Sequence, residues 1–295
     1  MIIVITGPTC SSKSKIAIDI AKRYNGEIVN ADAFQIYKEL DIGTAKPSSY
    51  DYRIVPHHLY DFVLPNAKYS IFNYQNDARI CISSLIKKKK NVILVGGSGL
   101  YIKAAIYDFK FNKKKPVDLK EFEKMDNQSL HDALKKIDQE TANKTHVNNR
   151  RRLLRAIAIF LENNETKSEL EKKQKHEVIY KDIYFFVVKI NRNELYKKIK
   201  ERAKKMVDKG LVQEARMLVK KYGKDNNSLK AIGYREVIEN PNLADDKVLE
   251  LIQKNTCHYA KKQLVFIRHQ YKNVDINFVR DAQEIIDFID KHESF

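Results

Sequence analysis

The residues Gly7-Pro8-Thr9-Cys10-Ser11-Ser12-Lys13-Ser14 follow a short apolar run, Ile2 to Ile5, and lead into a helical pattern. A glycine-led turn of backbone N–H groups opening onto a helix N-terminus aims donors and the positive end of a dipole at one point, which suits a phosphate or diphosphate. Lys13 adds a full charge. Ser14 offers the hydroxyl that sits on magnesium in loops of the pattern Gly-x-x-x-x-Gly-Lys-[Ser/Thr]. Ser12 stands where that pattern has its second glycine, and if the position needs a positive φ its Cβ costs roughly 1–2 kcal/mol.

Other residues could act beside such a loop. The run Glu27-Ile28-Val29-Asn30 delivers Ala31-Asp32-Ala33-Phe34-Gln35 at its C-terminal end, the edge where open α/β sheets bind ligands. Asp32 there can hold magnesium or accept a proton from an attacking amine or hydroxyl; the plainer alternative is a turn or cap aspartate. The amide of Gln35 can pair with an adenine edge. Gly96-Gly97-Ser98-Gly99-Leu100-Tyr101 forms a second glycine-rich turn with Ser98 at its lip. Arg151 and Arg155 share one face of a helix, suited to phosphate contacts or simply to solvent. In Tyr259 to Arg268, Leu264 and Ile267 can pack while Lys261, Lys262 and Arg268 stay exposed, an RNA-facing pattern or an ordinary amphipathic helix. His57 and His58 point apart on a strand and make a poor metal site.

The elements that must position these groups alternate. Strand-like runs at Ile2–Thr6, Glu27–Asn30, Leu59–Phe62 and Val92–Val95 flank helical patterns from Ser14 to about Arg23 and from Ser70 to about Lys87, which predicts a parallel sheet with crossover helices. From about Pro116 to Tyr180 the pattern is charged and helical, with Lys113-Lys114-Lys115-Pro116 expected as a hinge into it. The apolar run Ile183 to Ile190 restores the sheet, and helices dominate from Glu194 to Tyr271. The predicted class is therefore α/β, with a core over 1–115, a helical insertion over 116–180 and the rest of the core over 181–295.

Composition narrows the partners. The chain of 295 residues carries 55 Lys and Arg against 38 Asp and Glu, a formal +17, which favours a polyanion such as nucleic acid. The run Lys87-Lys88-Lys89-Lys90 is explained more simply as a helix C-terminus, where cations complement the dipole. The cysteines, Cys10, Cys81 and Cys257, lack metal-ligand spacing. No stretch approaches the roughly 18 apolar residues that span a bilayer, so no membrane partner and a cytoplasmic location are expected.

In order along the chain, these stretches resemble the tRNA dimethylallyltransferases, also called tRNA isopentenyltransferases. The resemblance rests on Gly7-Pro8-Thr9 through Lys13-Ser14, Asn30-Ala31-Asp32 with Gln35 and Tyr37, Asp41-Ile42-Gly43-Thr44-Ala45-Lys46-Pro47, His57-His58-Leu59, Tyr69-Ser70, Gly96 to Tyr101, Arg151-Arg152 with Arg155-Ala156, Ala231-Ile232-Gly233-Tyr234-Arg235-Glu236, and Tyr259-Ala260-Lys261 with Gln263. It implies a P-loop-type core interrupted by a helical insertion that grips a tRNA anticodon arm. It also implies transfer of a dimethylallyl group from dimethylallyl diphosphate to the exocyclic amine of the adenosine 3′ of the anticodon, with Mg2+ as cofactor and a monomeric chain. By residue, it makes Asp32 the general base or amine acceptor, and it puts Thr9, Lys13, Ser14, Ser98 and Arg202 around the diphosphate and the target nucleotide. The loop from Gly7 to Ser14, including Pro8, Cys10, Ser11 and Ser12, would bind the diphosphate. The tRNA-contacting set is Asp32, Ala33, Phe34, Gln35, Ser98, Lys120, Arg151, Arg152, Arg155, Gly233, Tyr234, Arg235, Lys261, Lys262, Gln263 and Arg268. Family members carry Gly at Ser12, Ser at Ala33 and Arg at Cys257, departures expected to lower efficiency. The alternatives are a small-molecule P-loop kinase and a tRNA-binding descendant with weakened catalysis.

Overall fold

The computed structural model describes residues 1–109 and 117–293. Its sheet has strands β1 (Ile2–Thr6), β2 (Gly26–Asn30), β3 (His57–His58), β4 (Asn91–Val95), β5 (Ile183–Val188) and β6 (Ile276–Val279) in the order β3-β2-β4-β1-β5-β6. Every neighbouring pair is parallel. Parallel strands are covered on both faces, which is why β1 runs apolar from Ile2 to Ile5 and is wholly buried to Thr6.

Crossovers supply the cover. Helices α1 (Lys13–Arg23), α2 (Ser49–Ile54), α3 (Ile71–Lys87) and α4 (Gly99–Ile106) belong to the first half. Ser70 caps α3 by accepting from Asn73 N, and α3 ends with Lys87 in its last turn and Lys88 as its C-cap. After the insertion come α10 to α14, numbered past the five short helices described below: α10 (Arg192–Asp208), α11 (Leu211–Tyr222), α12 (Tyr234–Glu239), α13 (Asp245–Gln270) and α14 (Ala282–Glu293). Ile16, Ala17 and Ile20 of α1 pack with Ile285 and Ile289 of α14 against Ile3, Ile5 and Phe186. A second core joins Ile36 and Leu40 to the apolar faces of α10, α11 and α13 and to Tyr234.

Contacts divide the chain into one unit of Met1–Tyr107 with Val178–Phe295 and another of Asp108–Glu177. The inserted unit holds α5 (Lys120–Lys124), α6 (Asn127–Ile137), α7 (Gln139–Asn143), α8 (Arg150–Asn163) and α9 (Lys167–Lys173), with its own core of Leu130, Leu134, Leu153 and Ile157. The boundaries expected at 116 and 180 thus move to 108 and 177, because the chain leaves and re-enters the first unit where Tyr107 bridges Val178. The hinge expected at Lys113 to Pro116 lies outside the described residues.

The strand expected over Leu59–Phe62 is absent. Leu59 and Asp61 have φ of 62° and 54°, which a strand excludes, and pairing stops after His58. The strand β6 and helix α14 were not anticipated. The α/β class with a P-loop-type parallel core is as expected.

Candidate active site

Register brings the chemistry to one edge. Ile5 pairs with Val95 and Asn30 with Val95, so β1, β2 and β4 end level and their following loops start side by side. Ala31 N donates to Val95 O at 2.8 Å, Gly96 N to Ile5 O at 3.3 Å and Ser98 N to Ala31 O at 3.2 Å, which ties the three loops together. Gly96 is required here, since an added Cβ would overlap the Ala31 carbonyl.

In the first loop Ser12 is the N-cap residue of α1 at φ 65°, ψ 14°, with no side-chain cap bond. The place of the second glycine in the phosphate-loop pattern thus lies in the left-handed region and is occupied by a residue with a Cβ. Cys10 shares that conformation at φ 64°. Lys13 Nζ donates to Pro8 O at 3.2 Å. Burial pulls its ammonium down to a pKa of about 8, a shift partly offset by Asp32 and deepened by Arg202. Arg202, on α10, donates to Thr9 Oγ1 at 3.2 Å, while Ile199 and Met206 of the same helix pack with Ala260 and Ile252 of α13.

Asp32 follows β2 and is held by Asn30, whose Oδ1 accepts from Asp32 N at 2.8 Å while its Nδ2 donates to Leu59 O at 2.9 Å. Asp32 Oδ1 accepts from Phe34 N at 2.9 Å. The carboxylate therefore does close a turn, as the plainer alternative had it, and also faces the cavities. Ala33 N donates to Ser98 Oγ at 3.0 Å.

Two cavities meet at these groups. The smaller, about 70 Å³, is lined by Lys13, Ser14, Asp32, Gly96, Arg202 and Gln263 among others. The larger, about 300 Å³, runs between α10, α12 and α13 past Phe34, Ile199, Met206, Ile232, Arg235 and Lys262. Thr9, Asp32, Thr44, Arg202 and Tyr259 line both. Burial raises the Tyr259 hydroxyl pKa, and the Asp32 charge adds to the effect. Sequence alone does not place Tyr259, Thr44 and Asn255 at the site; the available signal is that Thr44 and Tyr259 lie within the stretches that carry the family resemblance.

Several expected tRNA contacts sit elsewhere. Tyr234 is fully buried; its hydroxyl donates to Glu214 Oε1 at 2.5 Å and accepts from Gly43 N at 3.0 Å. It anchors the segment Asp41–Pro47 from within and has no surface to offer RNA. Gly233 is buried with it, its N–H held by Glu236 Oε2 at 2.7 Å. Gln35 Nε2 donates to both Thr44 O and Ala45 O at 3.0 Å, so its amide hydrogens are committed and a paired reading of adenine would break them. Gln263 is 6% exposed and bonded at both ends inside the protein. Cys257 packs with Cys10 against Leu195, Ile199 and Ala260.

Other candidates are accessible. Lys261, Lys262 and Arg268 are exposed on α13, and Arg235 lies at the larger cavity, its guanidinium donating to Glu236 Oε1 at 2.9 Å. In the inserted unit Arg151 and Arg152 are exposed on α8, Arg155 pairs with Glu162 at 2.9 Å, and Lys120 at the start of α5 lies 3.6 Å from Asp118. His58 Nε2 contacts Glu27 at 2.6 Å, and no cluster of three or more metal-ligating residues occurs among the described residues. No described helix is long and apolar enough to cross a membrane.

Known proteins are similar to this chain in sequence and fold. A sequence model of the IPP transferase family matches residues 35–270. A tRNA dimethylallyltransferase of Anoxybacillus flavithermus is 36% identical over 98% of this chain and 96% of its own. The crystal structure of a Staphylococcus epidermidis tRNA isopentenylpyrophosphate transferase has a TM-score of 0.71 at 32% identity, covering 99% of this chain and 98% of that one. A Bacillus halodurans tRNA isopentenylpyrophosphate transferase has a TM-score of 0.72 at 30% identity, covering 99% and 95%. A kinase assignment gives way to these likenesses: the chain belongs to the IPP transferase family, that of the tRNA dimethylallyltransferases, which are prenyltransferase enzymes.

Proposed function

We propose that this chain transfers the dimethylallyl group of dimethylallyl diphosphate to the N6 amine of the adenosine 3′-adjacent to the anticodon, in tRNAs that read codons beginning with U. The observation that carries the proposal is the meeting of two cavities at Asp32, Thr9 and Arg202. The smaller one, bounded by the phosphate-type loop, suits a diphosphate. The larger one has room for a base lifted from its stack, at an unstacking cost of a few kcal/mol.

An adenine amine is a weak nucleophile, so positioning and stabilisation of the leaving group supply most of the rate. As the N6–C1 bond forms and the C1–O bond to diphosphate breaks, Lys13, Arg202 and the loop N–H groups take up the charge on the departing oxygens. Asp32 orients the amine and receives its proton. Ser14 lines the smaller cavity and is a hard oxygen donor, which fits Mg2+ held with substrate phosphates. When bound, the ion supplies charge neutralisation at the diphosphate. The exposed Arg151 and Arg152 of the inserted unit, with Lys261, Lys262 and Arg268, offer phosphate contacts to the anticodon arm. The chain is read as a monomer working in the cytoplasm.

The test is incubation with labelled dimethylallyl diphosphate and tRNA transcripts that differ only at that adenosine. Label on the adenosine-bearing transcript alone is expected. Salt-sensitive tRNA binding without product would instead identify a non-catalytic descendant, and phosphate exchange from ATP alone would restore the kinase alternative.

A further inference from the structure

Gln263 joins the two glycine turns that face the smaller cavity. Its Oε1 accepts from Thr9 N at 2.8 Å, and its Nε2 donates to Gly97 O at 2.8 Å. An added Cβ at Gly97 would overlap Nε2, so the amide lies directly on the glycine face. One turn further along α13, the ring of Phe266 covers Gly99 in the same way.

The two partners make opposite demands: Thr9 presents a donor and Gly97 an acceptor. A side-chain amide satisfies both and stays neutral across the working pH range, whereas a carboxylate has no donor for a carbonyl and a cation has no acceptor for an N–H. What is held in this way is Thr9, whose hydroxyl accepts from Arg202 and which lines both cavities. We propose that Gln263 is a positioning residue for the diphosphate site, an amide adaptor that fixes the phosphate loop and Arg202 relative to the second glycine turn, and that it is not a tRNA contact. The proposal rests on the phosphate reading of the loop given above.

Inorganic pyrophosphate, titrated calorimetrically into the full chain, is the probe, with tRNA affinity measured in parallel. Gln263→Leu is expected to weaken pyrophosphate binding about tenfold, the scale of one uncompensated buried hydrogen bond, with tRNA affinity within about twofold. Gly97→Ala pushes the amide aside without changing residue 263 and should reproduce the loss. Gln263→Glu adds a readout that general loosening would not move. Its carboxylate repels the Gly97 carbonyl, but once protonated it regains both a donor and an acceptor. Relative to wild type at the same pH, its defect should narrow between about pH 8 and about pH 5.5, toward the carboxyl range. Lys13, Asp32, Tyr60, Arg202 and Tyr259 also face this cavity, and they are common to wild type and variant, so the comparison at equal pH removes them. Should Gln263→Leu not fold, the Gly97→Ala and Gln263→Glu chains decide. Folded variants that bind pyrophosphate like wild type, or that lose tRNA affinity instead, overturn the proposal. Wild-type protein that binds no pyrophosphate overturns the loop reading itself, and the proposal with it.

Discussion

Replacing Ser12 by glycine should stabilise the protein, although the change removes a side chain from the start of a helix. The residue sits at φ 65°, ψ 14°, where a Cβ costs roughly 1–2 kcal/mol. A glycine would release that strain but loosen the unfolded chain, at a cost of about 0.4–1 kcal/mol. No capping bond is forfeited, since the Ser12 side chain makes none. Mid-range values leave a net gain of about 0.8 kcal/mol. With an unfolding entropy of about 2.1 cal/mol/K per residue, that raises Tm by about 1–2 °C. Ser12→Ala is the control: it deletes the same hydroxyl but keeps the Cβ, and should be neutral within about 0.5 kcal/mol. Urea titrations of the three chains, supported by thermal melts, measure the differences. A Ser12→Gly chain no more stable than Ser12→Ala would refute the strain argument.

Three further outcomes are expected. Asp32→Ala should lower turnover by about 10²–10⁴, the range for a lost proton acceptor, with tRNA affinity changed only a few fold; single-turnover transfer and filter binding measure the two, and a near-wild-type rate removes Asp32 from the reaction. The pKa of Lys13 is depressed to about 8, so its ammonium is present below that pH and lost above it. Pyrophosphate affinity should therefore fall as pH rises through about 8, a fall missing from Lys13→Met once the ligand's own titration is subtracted. Gly43→Ala would drive a methyl into the Tyr234 ring, and should cost about 1–3 kcal/mol in urea unfolding while a surface change such as Lys204→Ala costs almost nothing.

The turn from Gly7 into α1, the turn at Asp32 and the second glycine turn were legible because each is written in consecutive residues whose types force the local backbone. The parallel sheet was legible for the same reason, from apolar runs such as Ile2 to Ile5. What escaped depends on partners remote in sequence. Gln263 and Tyr234 look like polar members of exposed stretches, and only partners 254 and 191 positions away turn them inward. The strand β3 is too short to announce itself, and the positive φ of Leu59 follows from the Asn30 amide reaching its carbonyl. At the other edge β6 exposes half of Phe278, so its pattern is neither continuous nor cleanly alternating.

The crossing of the chain at Tyr107 and Val178 has an evolutionary consequence. Ile179 N donates to Ile106 O at 2.9 Å beside the single antiparallel bridge of Tyr107 and Val178, so departure and return lie side by side, close enough for a short connection to join them. Everything spliced in between can lengthen, shrink or be exchanged while the pairing on either side of the splice is preserved. A lineage could thus remodel the inserted helices without rebuilding the sheet they interrupt.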